Sequence, residues 1–98
     1  MFCLLIQMKV RVHILIGGIV QGVFFRSSIR RIAVEIGLFG WVKNLEDGRV
    51  EVVLEGEEKK VEKMIDFCKK GPPGSDVIDV EINWKPYSGI FCNFSICY

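Results

Sequence analysis

One stretch of this chain combines residue types that bind an oxyanion. It reads Gly18-Ile19-Val20-Gln21-Gly22-Val23-Phe24-Phe25-Arg26. It joins the end of an alternating apolar segment to the start of a segment with helical periodicity. The first N–H groups of a helix have no intrahelical partner, and the helix dipole adds partial positive charge beside them, so an anion is favoured there. Arg26 falls in the first helical turn, where the dipole alone disfavours a cation. An anion held between guanidinium and amides reverses that sign, and the planar guanidinium can grip phosphate or carboxylate oxygens in pairs. The same residues also describe an ordinary tight turn with a surface arginine, and by residue type alone the two readings stand level. Nucleotide-binding loops fit less well. Gly17 and Gly22 have the Walker spacing, but Val23-Phe24 replace the required Lys-Ser/Thr, and no G-x-G-x-x-G occurs.

The other chemistry-bearing residues are scattered. Asn44 opens the segment Asn44-Leu45-Glu46-Asp47-Gly48, where asparagine is most simply a turn residue that tolerates left-handed backbone. His13 lies among charged neighbours and reads as solvent-facing. Cys3, Cys68, Cys92 and Cys97 contain no Cys-x-x-Cys pair, so they suggest neither a zinc site nor a redox motif. They are expected to be reduced thiols. Asp76 and Asp79 lack a partner pattern and read as solvated. Neither a metal nor a cofactor is expected.

The elements that would position the loop are legible from periodicity. Lys9 to Ile16 alternates, with Val10, Val12, Ile14 and Ile16 on one face, and is expected to end as a strand at Gly17-Gly18. Phe25 to Ile36 reads as a helix with the stripe Ile29, Ile32, Ala33 and Ile36, stopped by Gly37. Phe39 to Lys43 and Arg49 to Glu55 read as a hairpin around Asp47-Gly48, with Gly56 ending the second strand. Glu57 to Lys70 reads as a second helix with Val61, Met64, Ile65 and Cys68 as its stripe, closed by Gly71-Pro72-Pro73-Gly74. Val77 to Trp84 is expected to align Ile78, Val80, Ile82 and Trp84. Phe91 to Tyr98 reads as a final strand with Cys92, Phe94, Ile96 and Tyr98 on one face. The order predicts an α+β, ferredoxin-like β-α-β-β-α-β arrangement, two helices on one face of an antiparallel sheet, plus a C-terminal strand.

Composition bounds the function. The 98 residues make one domain, and half of them are hydrophobic, enough to form a core. Thirteen basic against twelve acidic residues leave a net charge of +1, without the basic stripe that nucleic acid requires. An RNA-binding sheet of the same element order would need exposed aromatics on its first and third strands. Arg11, His13, Glu51 and Val53 stand there instead, and the tryptophans and phenylalanines read as core. The apolar Met1 to Met8 lacks the marks of a signal peptide and is too short to span a bilayer. Residues 1–8 are therefore expected to be an N-terminal extension, Met8 being an alternative start, and the protein is expected to be cytoplasmic.

Taken together, Gly18 to Arg26 resembles the first acylphosphatase signature, G-x-V-Q-G-V-x-[FY]-R. Gly40-Trp41-Val42-Lys43-Asn44, followed by Gly48, Val50 and Gly56, resembles the second. Both match at every specified position and at the usual separation. The Gly71 to Gly74 turn and the closing Phe94-x-Ile96-x-Tyr98 are similar too. The resemblance covers residues 9–98 and departs at Ile19, where relatives often carry a basic residue. It implies a metal-independent hydrolase acting on a small-molecule acyl phosphate. Backbone amides of Gly18, Ile19, Val20, Gln21, Gly22, Val23 and Phe24 would cradle the phosphate, Arg26 would clamp it, and Asn44 would orient the attacking water. Two alternatives stand beside it: a carbamoyl-phosphate-acting domain of a larger maturation protein, and a non-catalytic anion-binding module. The end of the chain at Tyr98 favours a free-standing enzyme. A monomer is expected, although the last strand offers an edge for pairing between chains.

Overall fold

Seven elements follow in chain order: β1 (Lys9–Ile19), α1 (Phe25–Ile36), β2 (Phe39–Asn44), β3 (Val50–Glu57), α2 (Glu58–Lys70), β4 (Asp76–Lys85) and β5 (Phe94–Cys97). They belong to a computed structural model that describes residues 8–98, so residues 1–7 of the expected N-terminal extension lie outside it. One sheet carries all five strands in the order β4-β1-β3-β2-β5. β1 is antiparallel to β3 and β4, and β2 is antiparallel to β3. This is the expected split β-α-β arrangement. The departure is β5, which runs parallel to β2 and makes the sheet mixed. Among the described residues, no helix is long and apolar enough to cross a membrane.

Alternation decides which face is dry. Val12, Ile14 and Ile16 of β1, Val42 of β2, and Val50, Val52 and Leu54 of β3 share one buried face. Onto it α1 lays Phe25, Ile29 and Ala33, and α2 lays Val61, Met64, Ile65 and Cys68. Each large apolar side chain so buried contributes about 2 kcal/mol. Ile32 and Ile36 complete the α1 stripe at the core margin. Burial pushes the Cys68 thiol up to about 12, so it packs as a small hydrophobe rather than serving as a nucleophile. Cys92 and Cys97 are also free.

The strand leading into the loop runs further than its alternation predicts. β1 continues through Gly17-Gly18 to Ile19 because β4 accommodates it with an irregularity. Gly17 lies opposite Asp79 and Gly18 opposite Val77, which leaves Ile78 as an extra residue. The slip turns Val77, rather than Ile78, toward the core beside Val80 and Ile82, and leaves Ile78 75% exposed. At Gly18 (φ 125°) a Cβ would collide with the Asp76 carbonyl oxygen, so only glycine lets the two strands close. β3 likewise runs on through Gly56 to Glu57. β5 is shorter than expected, because Phe91 to Asn93 precede it as a loop. Not all aromatics are core: Phe25 and Phe94 are buried, whereas Phe24, Phe39, Trp84 and Tyr98 are exposed.

The other face of the sheet is polar, as an antiparallel sheet allows. His13 Nε2 lies 2.7 Å from Glu51 Oε2, so the histidine is half-buried and partnered rather than simply solvated. Glu55, only 1% exposed, holds the loop before β5. It accepts hydrogen bonds from Ser88 N–H (2.8 Å), the Ser88 hydroxyl (2.6 Å), Gly89 N–H (3.0 Å) and Arg11 (3.3 Å). Burial pushes its carboxyl up, but these donors outweigh burial and hold it below the usual carboxylate range. The contribution is thus full above the unfolded value, near pH 4.3, and is lost as the pH falls through the folded one. Urea midpoints measured from pH 6 to pH 3 should fall on the acid side for the native protein. Glu55→Gln should start lower and show a shallower acid fall. Glu55→Ala, which strands the donors, should cost about 3 kcal/mol.

Candidate active site

β1 ends at Ile19, and after five intervening residues α1 begins at Phe25. Two backbones with positive φ make that turn, Gly22 (φ 75°) and Phe24 (φ 62°, ψ 24°). Left- and right-handed conformations in succession point consecutive N–H groups to one side, an anion nest. Phe24 is the only non-glycine residue with positive φ among those described, and its ring is 80% exposed. A bulky residue so placed costs about 1–3 kcal/mol, a strain that persists only where the surroundings impose it. Phe24 is also the N-cap of α1 and makes no side-chain capping bond, and the first turn carries no acid. The leading N–H groups of α1 therefore keep their capacity for an external acceptor.

A cavity of about 300 Å³ opens at this point, lined by Val20, Gly22, Phe24, Phe25, Arg26, Ser27 and Asn44. Arg26 comes from the first turn of α1, and Asn44 from the last position of β2, where it lies opposite Val50. The Arg26 guanidinium sits 4.9 Å from the Tyr98 ring centroid and has no ion pair among the described residues. Asn44 Oδ1 is buried and has no protein hydrogen-bond partner. An orphaned buried acceptor costs about 1–3 kcal/mol, and Asn44 Oδ1 is left able to accept a hydrogen bond from a group that enters the cavity. Asn44 has no positive φ, so the left-handed turn that would explain an asparagine here does not exist. Gly48 (φ 96°) makes the tight turn instead.

The expected cradle divides. Val20, Gly22 and Phe24 line the cavity, but Gly18, Ile19, Gln21 and Val23 do not. Gly18 and Ile19 lie within the β1–β4 pairing, opposite Val77 and Asp76. Val23 packs against the core. Gln21 turns its side chain the other way, and its Nε2 donates to Leu45 O (2.8 Å) and Arg49 O (2.9 Å). Those carbonyls bound the turn that follows Asn44, which is closed by Leu45 N–H to Arg49 O and stiffened by Asp47 and Arg49. One amide group thus locks the loop carrying the nest to the turn carrying Asn44. Ser27 was not singled out by sequence, since a serine in a first helical turn carries no signal of its own. His13 does not line the cavity, nor do Asp76 and Asp79. Among the described residues no three His, Cys, Asp or Glu side chains gather as for a metal ion.

The Gln21 lock has a measurable consequence. Gln21→Ala should lower stability by about 1–2 kcal/mol, from two lost hydrogen bonds. For the acyl phosphate hydrolysis that the sequence leads one to expect, it should also lower kcat roughly tenfold, by letting Asn44 drift from the loop. Gln21→Glu should be worse on both counts, because it sets a carboxylate against two carbonyl oxygens at nearly the same volume. Steady-state kinetics and chemical denaturation of the two variants read this order directly.

Comparison with known proteins bears on the whole chain. The acylphosphatase family profile matches residues 12–96. An acylphosphatase of Pyrobaculum islandicum is 53% identical over 89 residues, which cover 90% of this chain and 94% of that one. The crystal structure of acylphosphatase from Bacillus subtilis superposes with a TM-score of 0.87 at 37% identity, over 93% of this chain and all of that one. Full-length HypF, in its phosphate- and nucleotide-bound form, contains a similar fold at 29% identity and a TM-score of 0.82, spanning 95% of this chain but only 12% of that protein. Over nearly its full length, and through both loops that build the cavity, this chain belongs to the acylphosphatase family, hydrolases of acyl phosphates.

Proposed function

We propose that the cavity between α1 and β2 binds the phosphoryl group of an acyl phosphate and hydrolyses it by in-line attack of water at phosphorus. The observation that carries this reading is the juxtaposition in one cavity of Arg26, the uncapped start of α1 and the orphaned Asn44 Oδ1. Amides around Val20 to Phe24 and the Arg26 fork take the phosphoryl oxygens, and their fixed positive charge offsets charge developing in the transition state. Asn44 accepts a hydrogen bond from the water and holds its oxygen toward phosphorus. The new P–O bond forms as the bond to the acyl oxygen breaks, and the bonding pair leaves on the carboxylate. Carboxylic acids have a pKa of about 4, so this leaving group departs without a general acid. The proton of the attacking water passes to a phosphate oxygen. Positioning and electrostatics suffice, which accounts for a cavity with no His, Cys, Asp or Glu among its described lining residues.

Residues 9–98 constitute the catalytic domain in this reading, with residues 1–8 an extension, and the enzyme is a cytoplasmic monomer with no nucleic-acid partner. The net charge of +1 supports the last point. The test is hydrolysis of benzoyl phosphate with chelator present, alongside carbamoyl phosphate. Metal-independent turnover of benzoyl phosphate supports the acylphosphatase reading. Turnover of carbamoyl phosphate alone points to the specialised domain, and phosphate binding without turnover points to an anion-binding module.

A further inference from the structure

The cavity that takes the phosphoryl group is not isolated. Ser27 lines it and also lines a second hollow of about 380 Å³, together with Arg30, Arg31, Val34, Glu35 and Ile96. Arg30, Val34 and Ile96 then border a third, of about 570 Å³, which reaches Tyr98. A groove therefore leaves the phosphate cavity past Ser27 and follows the outer side of α1. Helical spacing sets Ser27, Arg30, Arg31 and Val34 on one face of α1, at i, i+3, i+4 and i+7, beside the successive hollows. Val34, which lines both outer hollows, is an exposed apolar side chain. Arg30 and Arg31 make no ion pair among the described residues, and among those residues Glu35 is the one Asp or Glu side chain lining the two outer hollows. Ile19, which lines none of these hollows, is exposed and brings no charge. The positive charge beyond Arg26 thus lies along α1.

We propose that this groove is the acyl-group subsite, and that it selects acyl phosphates whose acyl chain ends in a second negative charge, received by Arg30 with Arg31 beside it. The inference rests on the hydrolase reading above and names the substrate class of the same site. Distance supports it. Arg30 follows Arg26 by four residues, so their attachment points are separated by about 6 Å along the helix, a length that a four-carbon acyl chain spans. Val34 and Ile96 provide apolar walls for the methylenes. Arg30 lines both outer hollows, and its guanidinium can meet a terminal carboxylate or phosphate with charge-assisted hydrogen bonds.

The experiment compares succinyl phosphate with butyryl phosphate, two acyl phosphates of equal chain length that differ in the terminal charge. The native protein should favour succinyl phosphate about tenfold in kcat/KM, mainly through KM, and the preference should shrink as salt is added. In Arg30→Ala the succinyl-to-butyryl ratio should fall to near one, and in Arg31→Ala it should fall part of the way. Turnover of both substrates with a ratio near one in the native protein would overturn the subsite and leave the hydrolase standing. A high ratio that persists in Arg30→Ala and in the double variant would also overturn it, because charge would then be read elsewhere. Turnover of neither substrate, with benzoyl phosphate also inert, would remove the hydrolase reading and the subsite with it.

Discussion

Arg26→Ala should lower kcat/KM for benzoyl phosphate about a thousandfold, with both a raised KM and a reduced kcat. Among the described residues, Arg26 is the one cationic residue lining the proposed phosphate cavity. In the proposed mechanism it holds the phosphoryl oxygens in the ground state and offsets charge as they rearrange. Losing it removes ground-state and transition-state interactions together, so neither constant alone carries the effect. Arg26→Lys retains the charge but not the planar fork, and should recover only part of the loss. Stability distinguishes this outcome from misfolding. A cation in the first turn of α1 opposes the helix dipole, by about 0.3–1 kcal/mol, and its contact with the Tyr98 ring returns about 0.5–1 kcal/mol. These nearly cancel, so the thermal midpoint of Arg26→Ala should stay close to that of the native protein. A large drop in midpoint with activity falling in proportion would make Arg26 structural. Full activity in Arg26→Ala would reduce the loop to a plain turn.

Much of this arrangement is legible in the residues. The α1 bounds, Phe25 to Ile36, follow from apolar spacing and Gly37, and the α2 stripe is buried as its periodicity requires. Periodicity records which face a residue takes only while pairing stays regular. At β4 it does not: the strand absorbs an extra residue opposite Gly17-Gly18, so Ile78 and Val77 exchange faces with no change in local composition. The last strand misleads for a related reason. Its alternation extends over Phe91 to Tyr98, yet Ser88 and Gly89 are tied down by Glu55, far away in sequence, and only Phe94–Cys97 pairs with β2. Within the site, residue type identified Arg26 and the glycine loop as an anion-binding candidate. It did not separate residues that face the cavity from those that build its wall. Gly18, Gln21 and Phe24 share one motif and do three different things: close strand packing, a side-chain lock, and a strained turn into the helix. Those roles depend on β4 and on the turn after Asn44, neither of which the loop's own sequence contains.

Asn44 is where stability and function should separate most clearly. Asn44→Ala is expected to reduce kcat by a factor of about 100 to 1,000, in the range found when one polar group serving a transition state is removed. Inorganic phosphate should still inhibit competitively with nearly unchanged affinity, because Arg26 and the amides of the nest remain. The same substitution deletes a buried carbonyl oxygen that has no protein partner, and native-state stability should therefore hold or rise by up to about 1 kcal/mol. Residues retained at a cost to the fold are retained for what they do. Asn44→Asp sharpens the test. It keeps the shape and an acceptor for water, but sets a carboxylate against the bound phosphate, so it should weaken phosphate inhibition where Asn44→Ala does not. If Asn44→Ala instead loses 2 kcal/mol or more while kcat per folded molecule is preserved, the asparagine serves the hairpin and not the water. The backbone argues for the catalytic outcome: β2 ends at Asn44 in ordinary strand conformation, and Gly48 makes the turn, so nothing in the hairpin requires an asparagine there.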